Sequence, residues 1–229
     1  AYKTNKPIYE INNFAKRKIK FDHADRIDNV KALVKKEVGK FLNYIEKQNT
    51  NFYSYRDYLN ACQYLGLDMD EEKNRYPHDF KRWHDIRIDE YRSAKALKDE
   101  QERKEFYEKF AAVASKYLSL EYDKKSAYMS IIAKKPSELI TEGEALNHCV
   151  GRMNYDQKFA REETLIFFIR NISSPDIPFV TVEYSLEKHK ILQCYGYHDT
   201  KPDTEVLNYV NKIWLPYANR KVRKIQKAA

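Results

Sequence analysis

Cysteine is scarce in this sequence: Cys62, Cys149 and Cys194 are its three, they lie in separate regions, and none forms a CxxC pair. That spacing argues against a structural zinc site and against a disulfide framework, so no metal ligands are assigned and a reducing, cytoplasmic setting is expected. The residues name no cofactor. Glycine and proline are also few, 5 and 7 in 229 residues, and neither a low-complexity tract nor an internal repeat is present. No apolar run approaches the roughly 20 residues of a membrane span, and the chain is not expected to open on a signal peptide. What is abundant is aromatic: 19 Tyr, 11 Phe and 2 Trp supply far more burial than a disordered chain carries.

Acidic residues are missing from one end. Residues 212–229 hold 6 Lys/Arg and no Asp or Glu, while residues 1–47 hold 12 Lys/Arg against 6 Asp/Glu. The intervening body carries 24 basic against 28 acidic residues, so the net charge of +8 resides at the two ends. Basic ends on an acidic body suit a polyanionic partner, DNA or RNA. The plainer alternative is that these are solvated helix faces conferring solubility. The residues singled out for phosphate contact are Lys16, Arg17, Lys18 and Lys20 near the start and Arg220, Lys221, Arg223 and Lys224 near the end.

Periodicity divides the chain. Ile27, Val30, Val34, Val38, Phe41 and Ile45 recur at helical spacing, with Lys31, Lys35, Lys36 and Lys40 on the other face. A second helix is predicted from an N-cap at Ser54 to a stop at Gly66. Pro77 is placed in the first turn of a charged helical stretch reaching Ser119, interrupted near Lys98–Gln101 where no apolar face persists. The pattern changes near residue 126. Tyr128–Ala133 reads as a strand, Pro136–His148 as a helix with Leu139, Ile140 and Leu146 inward, and Thr164–Arg170 as a strand buried on both faces. Phe179–Tyr184 and Lys190–Tyr197 alternate as a hairpin, and a closing helix begins near Asp203 and meets Pro216. The predicted class is α+β, a helical N-terminal half packed on a small antiparallel sheet with flanking helices. Three segments are expected: a basic stretch 1–51, a helical region 52–125 and an α+β core 126–229, the last two as one unit.

From about residue 52 onward the order and spacing of several short runs resemble the PcfJ-like proteins of conjugative plasmids and phages. These runs are Tyr55-Arg56-Asp57-Tyr58-Leu59 with Leu65-Gly66, then Pro77-His78-Asp79-Phe80 with His84-Asp85. They continue with Glu142-Gly143, Leu146-Asn147-His148-Cys149-Val150-Gly151, Thr181-Val182-Glu183, Gln193 with Gly196, and the helix to Trp214. The His-Cys-Val-Gly run is the most distinctive. One departure is His198, two residues after Gly196, where the family usually has Asn. The resemblance implies a plasmid or phage context and hands over no established reaction.

Side chains with chemistry cluster in the second half. His148 and Cys149 suggest a nucleophile and its base, although neighbours in sequence point apart on a helix and on a strand. The alternative is a buried cysteine beside a hydrogen-bonded histidine, with Gly151 as a helix stop. If Val180, Val182, Leu192 and Cys194 face the core, then Thr181, Glu183, Gln193 and Tyr195 share the opposite face. With His148 that set suits general acid–base chemistry or the holding of a divalent ion, whereas the default for an antiparallel sheet is a solvated polar face. His84, near Phe80, Trp83 and Arg87, either completes such a site or is an ordinary helix histidine.

Three functions follow. The first is a plasmid or phage accessory protein that grips nucleic acid through its basic ends. The second is a hydrolase or nuclease built on His148, Glu183 and Gln193, with Cys149 and His84 as further candidates. The third is a module that modulates a host or element-encoded protein through its charged helices.

Overall fold

A computed structural model describes residues 38–124 and 126–228. The chain divides into two compact units, with the boundary between Glu100 and Gln101. The expected segment before residue 38, including Lys16, Arg17, Lys18 and Lys20, lies outside the described residues.

The first unit holds α1 (Val38–Lys47), α2 (Phe52–Tyr64), a single turn α3 (Glu72–Arg75) and the start of α4 (Phe80–Lys116). Asn51, not Ser54, caps α2: its Oδ1 accepts the amides of Tyr53 and Ser54, both at 3.0 Å. Gly66, at φ 74°, takes the left-handed conformation that ends the helix. Phe41, Phe52, Tyr55, Tyr58, Leu59 and Phe80 make an aromatic core. Its tyrosines keep their hydroxyls paired, as buried phenols must. Tyr58 donates to the Asn74 carbonyl at 2.7 Å, Tyr55 to that of Arg75 and Tyr44 to that of Pro77, both at 2.6 Å. The loop before α4 is thereby tied to α1 and α2. Pro77 lies in this loop, short of the first helical turn.

The expected break at Lys98–Gln101 is absent. α4 runs unbroken for 37 residues. Its middle contains no Gly or Pro, and its Lys, Glu, Arg and Gln are strong helix formers that need no apolar face to stay helical.

The second unit is built on a four-stranded antiparallel sheet, β1 (Tyr128–Ile132), β2 (Thr164–Asn171), β3 (Val180–Ser185) and β4 (Lys190–Tyr195), in that spatial order. The α+β class holds. Every residue of β2 but the last is buried, because both faces of the sheet are covered. On one face Phe167 and Tyr184 pack against Trp214, with ring centroids at 4.7 and 6.0 Å. Trp214 is anchored by its indole N–H donating to the Leu120 carbonyl at 3.0 Å. The other face meets α5 (Pro136–Leu146) and α6 (Tyr155–Ala160). Leu139 and Leu146 point inward as predicted, but Ile140 is exposed.

The closing segment does not stop at Pro216. α7 (Thr204–Asn208) passes through a π-helical stretch, Tyr209–Trp214, into α8 (Leu215–Ala228). The Leu215 amide reaches back to the Val210 carbonyl across this wider turn. A wide turn directly before proline accommodates the ring and the missing N–H that would break a regular helix.

Candidate functional site

The hairpin register follows from alternation. Thr181 pairs with Tyr195 and Glu183 with Gln193, so these four side chains share one face. A bulge after Glu183 shifts the pairing, so that Tyr184 meets Ile191 and Leu192 is left over. Leu192 is therefore exposed at 41%, and Ile191 packs against the core in its stead. On β3 the polar face is not solvated, contrary to the default for such a sheet, whereas Gln193 and Tyr195 on the edge strand β4 are exposed. Thr181 and Glu183 are 7% and 4% exposed, since α5, α6 and the turn between them cover that side.

That turn carries His148 and Cys149. α5 ends at Asn147, which takes the left-handed conformation (φ 52°), and the His148 amide donates back to the Gly143 carbonyl at 3.0 Å. Gly151 is not the helix stop. A Cβ at Gly151 would fall 2.7 Å from the Ile140 Cα, so glycine lets the Cys149–Gly151 turn lie directly on the α5 backbone. The His148 ring is thus brought over β3, where its Nε2 lies 3.0 Å from Thr181 Oγ1.

Behind Thr181 stands a buried ion pair. Its hydroxyl donates to Glu142 Oε1 at 3.2 Å, and Glu142 is gripped through both oxygens by the Arg170 guanidinium, Nη1 meeting Oε1 at 2.9 Å and Nη2 meeting Oε2. The two side chains are 2% and 9% exposed. Fork-to-fork geometry of this kind holds a carboxylate ionised where an isolated one would be costly. Arg170 is the one charge in an otherwise uncharged buried run, which in sequence already demanded a partner.

His148, Cys149, Tyr155, Thr181, Glu183 and Gln193 line one recess of about 290 Å³, counting its open mouth. Tyr155, which sequence reasoning passed over, donates to Gln193 Oε1 at 3.1 Å and lies 4.0 Å from Cys149 Sγ. Burial, then the neighbouring Cys149 thiol and the Glu183 charge, push the Tyr155 phenol up to about 12, so it stays a donor at neutral pH. Glu183 is the anomaly. Its Oε1 is buried and accepts no hydrogen bond, and the ammonium of Lys158 stands off at 3.9 Å. A buried carboxylate oxygen without a donor is costly, and a ligand or water that donates would relieve it.

Cys149 is exposed, which removes the buried-cysteine alternative. Cys194 is partly buried, and burial lifts its thiol to about 11. His84 belongs to the first unit and is not among the residues lining the recess; its Nδ1 lies 3.0 Å from Asp85 Oδ1. His198 sits at φ 54°, a backbone conformation in which Asn is at ease and His tolerated. From there its ring contacts the Asn147 amide nitrogen at 3.0 Å. Among the described residues no three His, Cys, Asp or Glu side chains are grouped to hold a metal ion.

Arg220, Lys221, Arg223 and Lys224 lie on α8, whose Ala218 and Val222 are buried. Among the described residues, none of these four cations has a carboxylate within salt-bridge distance. Likewise no described helix is long and apolar enough to cross a membrane.

The model of the PcfJ-like protein family matches residues 54–210. The uncharacterized protein Lin1253/Lin1744 of Listeria innocua is 31% identical over 189 residues, an alignment that takes in 82% of this chain and 39% of that protein. The chain therefore spans about two fifths of the length of that relative. No solved structure matches.

Proposed function

Since the chain belongs to the PcfJ-like family, and since His148, Cys149, Thr181, Glu183 and Gln193 from the runs that carry the likeness line one recess, we propose that this recess is an acid–base catalytic site of the hydrolase class. The observation that carries the reading is the Glu183 carboxylate, 4% exposed and with Oε1 lacking a hydrogen bond, in a wall shared with the His148 imidazole. A buried acceptor without a hydrogen bond, its nearest cation held off at 3.9 Å, is poised to take a proton from a bound water or hydroxyl. His148 is the second proton carrier, and Gln193 with Tyr155 orients the substrate. Cys149, exposed at the same wall, is available as a nucleophile if the reaction is acyl transfer.

The test is turnover by the purified chain of a chromogenic carboxylic ester, a chromogenic phosphodiester, and labelled single- and double-stranded DNA and RNA. One substrate class is hydrolysed, and Glu183→Gln or His148→Ala slows it by roughly 10²–10⁴-fold, the usual worth of a positioned acid or base. If wild type is no faster than Glu183→Gln and His148→Ala on every substrate, the reading fails.

A second reading rests on α8. Its cations Arg220, Lys221, Arg223 and Lys224, free of carboxylate partners among the described residues, suit a phosphate backbone, as a plasmid or phage accessory protein would need. Four phosphate contacts would weaken binding roughly 150-fold between 50 and 200 mM salt. A gel shift that survives Gln at all four positions, or that ignores salt, refutes it.

A further inference from the structure

We infer that Thr181 is a positioning residue that sets the proton arrangement of His148, its own hydroxyl proton being committed to Glu142 of the buried Glu142–Arg170 pair. The inference deepens the catalytic reading of the recess and rests on it only for its consequence, not for its geometry.

Glu142, held by both arms of the Arg170 guanidinium, is ionised and can only accept. The Thr181 hydroxyl has one proton, and with Glu142 Oε1 3.2 Å away that proton goes to the carboxylate. Thr181 Oγ1 is then an acceptor toward the other side, where His148 Nε2 lies at 3.0 Å. Two acceptors cannot face each other at that distance, so Nε2 carries the proton. Neutral His148 consequently keeps its lone pair on Nδ1. The hydrogen bond made by one ring nitrogen decides the state of the other. Chains of this kind polarise from the charged end, and here the charge is shielded from water, with Glu142 2% exposed.

The consequence is directional. His148 accepts a proton through Nδ1 alone, because Nε2 is committed to Thr181. A hydroxyl interposed between carboxylate and imidazole does the work that direct contact does in other relays.

The test needs no substrate. In the full chain labelled with 15N-histidine, His148 is assigned by its loss in His148→Ala, and long-range proton–nitrogen correlation is recorded where the ring is neutral. Wild type shows Nε2 protonated, Nδ1 unprotonated, and a separate, slowly exchanging Nε2 proton. Thr181→Val loses that proton signal, while Thr181→Ser, which keeps the hydroxyl, retains it. A wild-type ring protonated at Nδ1 overturns the inference, as does a Thr181→Val spectrum identical to wild type. If Thr181→Val does not fold, the wild-type and Thr181→Ser spectra decide alone. Should the ring be locked as described while no substrate is turned over, the relay stands and the hydrolase reading falls.

Discussion

Glu142→Gln isolates the buried pair on which the recess leans. The substitution keeps size and shape but strips the charge, leaving the Arg170 guanidinium with only the Ile169 carbonyl, at 3.3 Å, as a full-time acceptor. Breaking a buried pair from one side costs about 3–5 kcal/mol, because the surviving ion remains buried without its counter-charge. Gln still offers one acceptor oxygen, which places the loss at the lower end, about 3 kcal/mol. For a unit of this size each kcal/mol lowers the Tm by roughly 4 °C, so a fall of roughly 12 °C is expected. The readout must see the second unit alone. Of the two tryptophans, Trp214 is fully buried against Phe167, so a Trp83→Phe background makes its fluorescence the reporter in urea or on heating. Glu142→Leu combined with Arg170→Met removes both charges and recovers most of the loss, since an apolar pair carries no desolvation penalty. A single variant costing under about 1 kcal/mol, or a double variant no better than the single, refutes the assignment of the pair as buried and mutually dependent.

Further outcomes follow from the packing. Gly151→Ala must push its new methyl into the α5 backbone at Ile140 and is expected to cost about 1–3 kcal/mol by the same fluorescence assay; an unchanged midpoint denies the close approach. A thiol reagent at about pH 8 labels Cys149 first, because burial raises the Cys62 and Cys194 thiols and leaves roughly one in a thousand of Cys194 ionised. Rapid labelling in native Cys149→Ser contradicts this. Tyr58→Phe removes the bond to the Asn74 carbonyl and lowers the stability of the first unit by about 1 kcal/mol, read from Trp83 in a Trp214→Phe background. No change in that midpoint means the loop is held by other contacts.

The departures between pattern and structure each have their own physical cause. At Lys98–Gln101 the missing apolar stripe suggested a break, yet α4 continues, because helix propensity acts residue by residue whether or not a face is buried. At Leu192 simple alternation failed by one residue, because a bulge resets parity and leaves no mark in the hydrophobic pattern. At Pro216 the expected stop is bypassed by a π-helical turn, a backbone adjustment that only the packing of Trp214 and Val210 makes worthwhile. Tyr155 escaped notice because its role depends on Gln193, 38 positions away.

The amino-acid pattern alone determined the α+β class, the hairpin, and the common face of Thr181, Glu183, Gln193 and Tyr195. These depend on period and propensity, which act over a few neighbouring residues. Tertiary structure alone decided that the β3 half of this face is covered, that Glu142 and Arg170 meet across 28 positions, and that His148 arrives above Thr181. Burial turns a polar stripe into a site, and burial is settled by where distant helices come to rest, which no local rule contains.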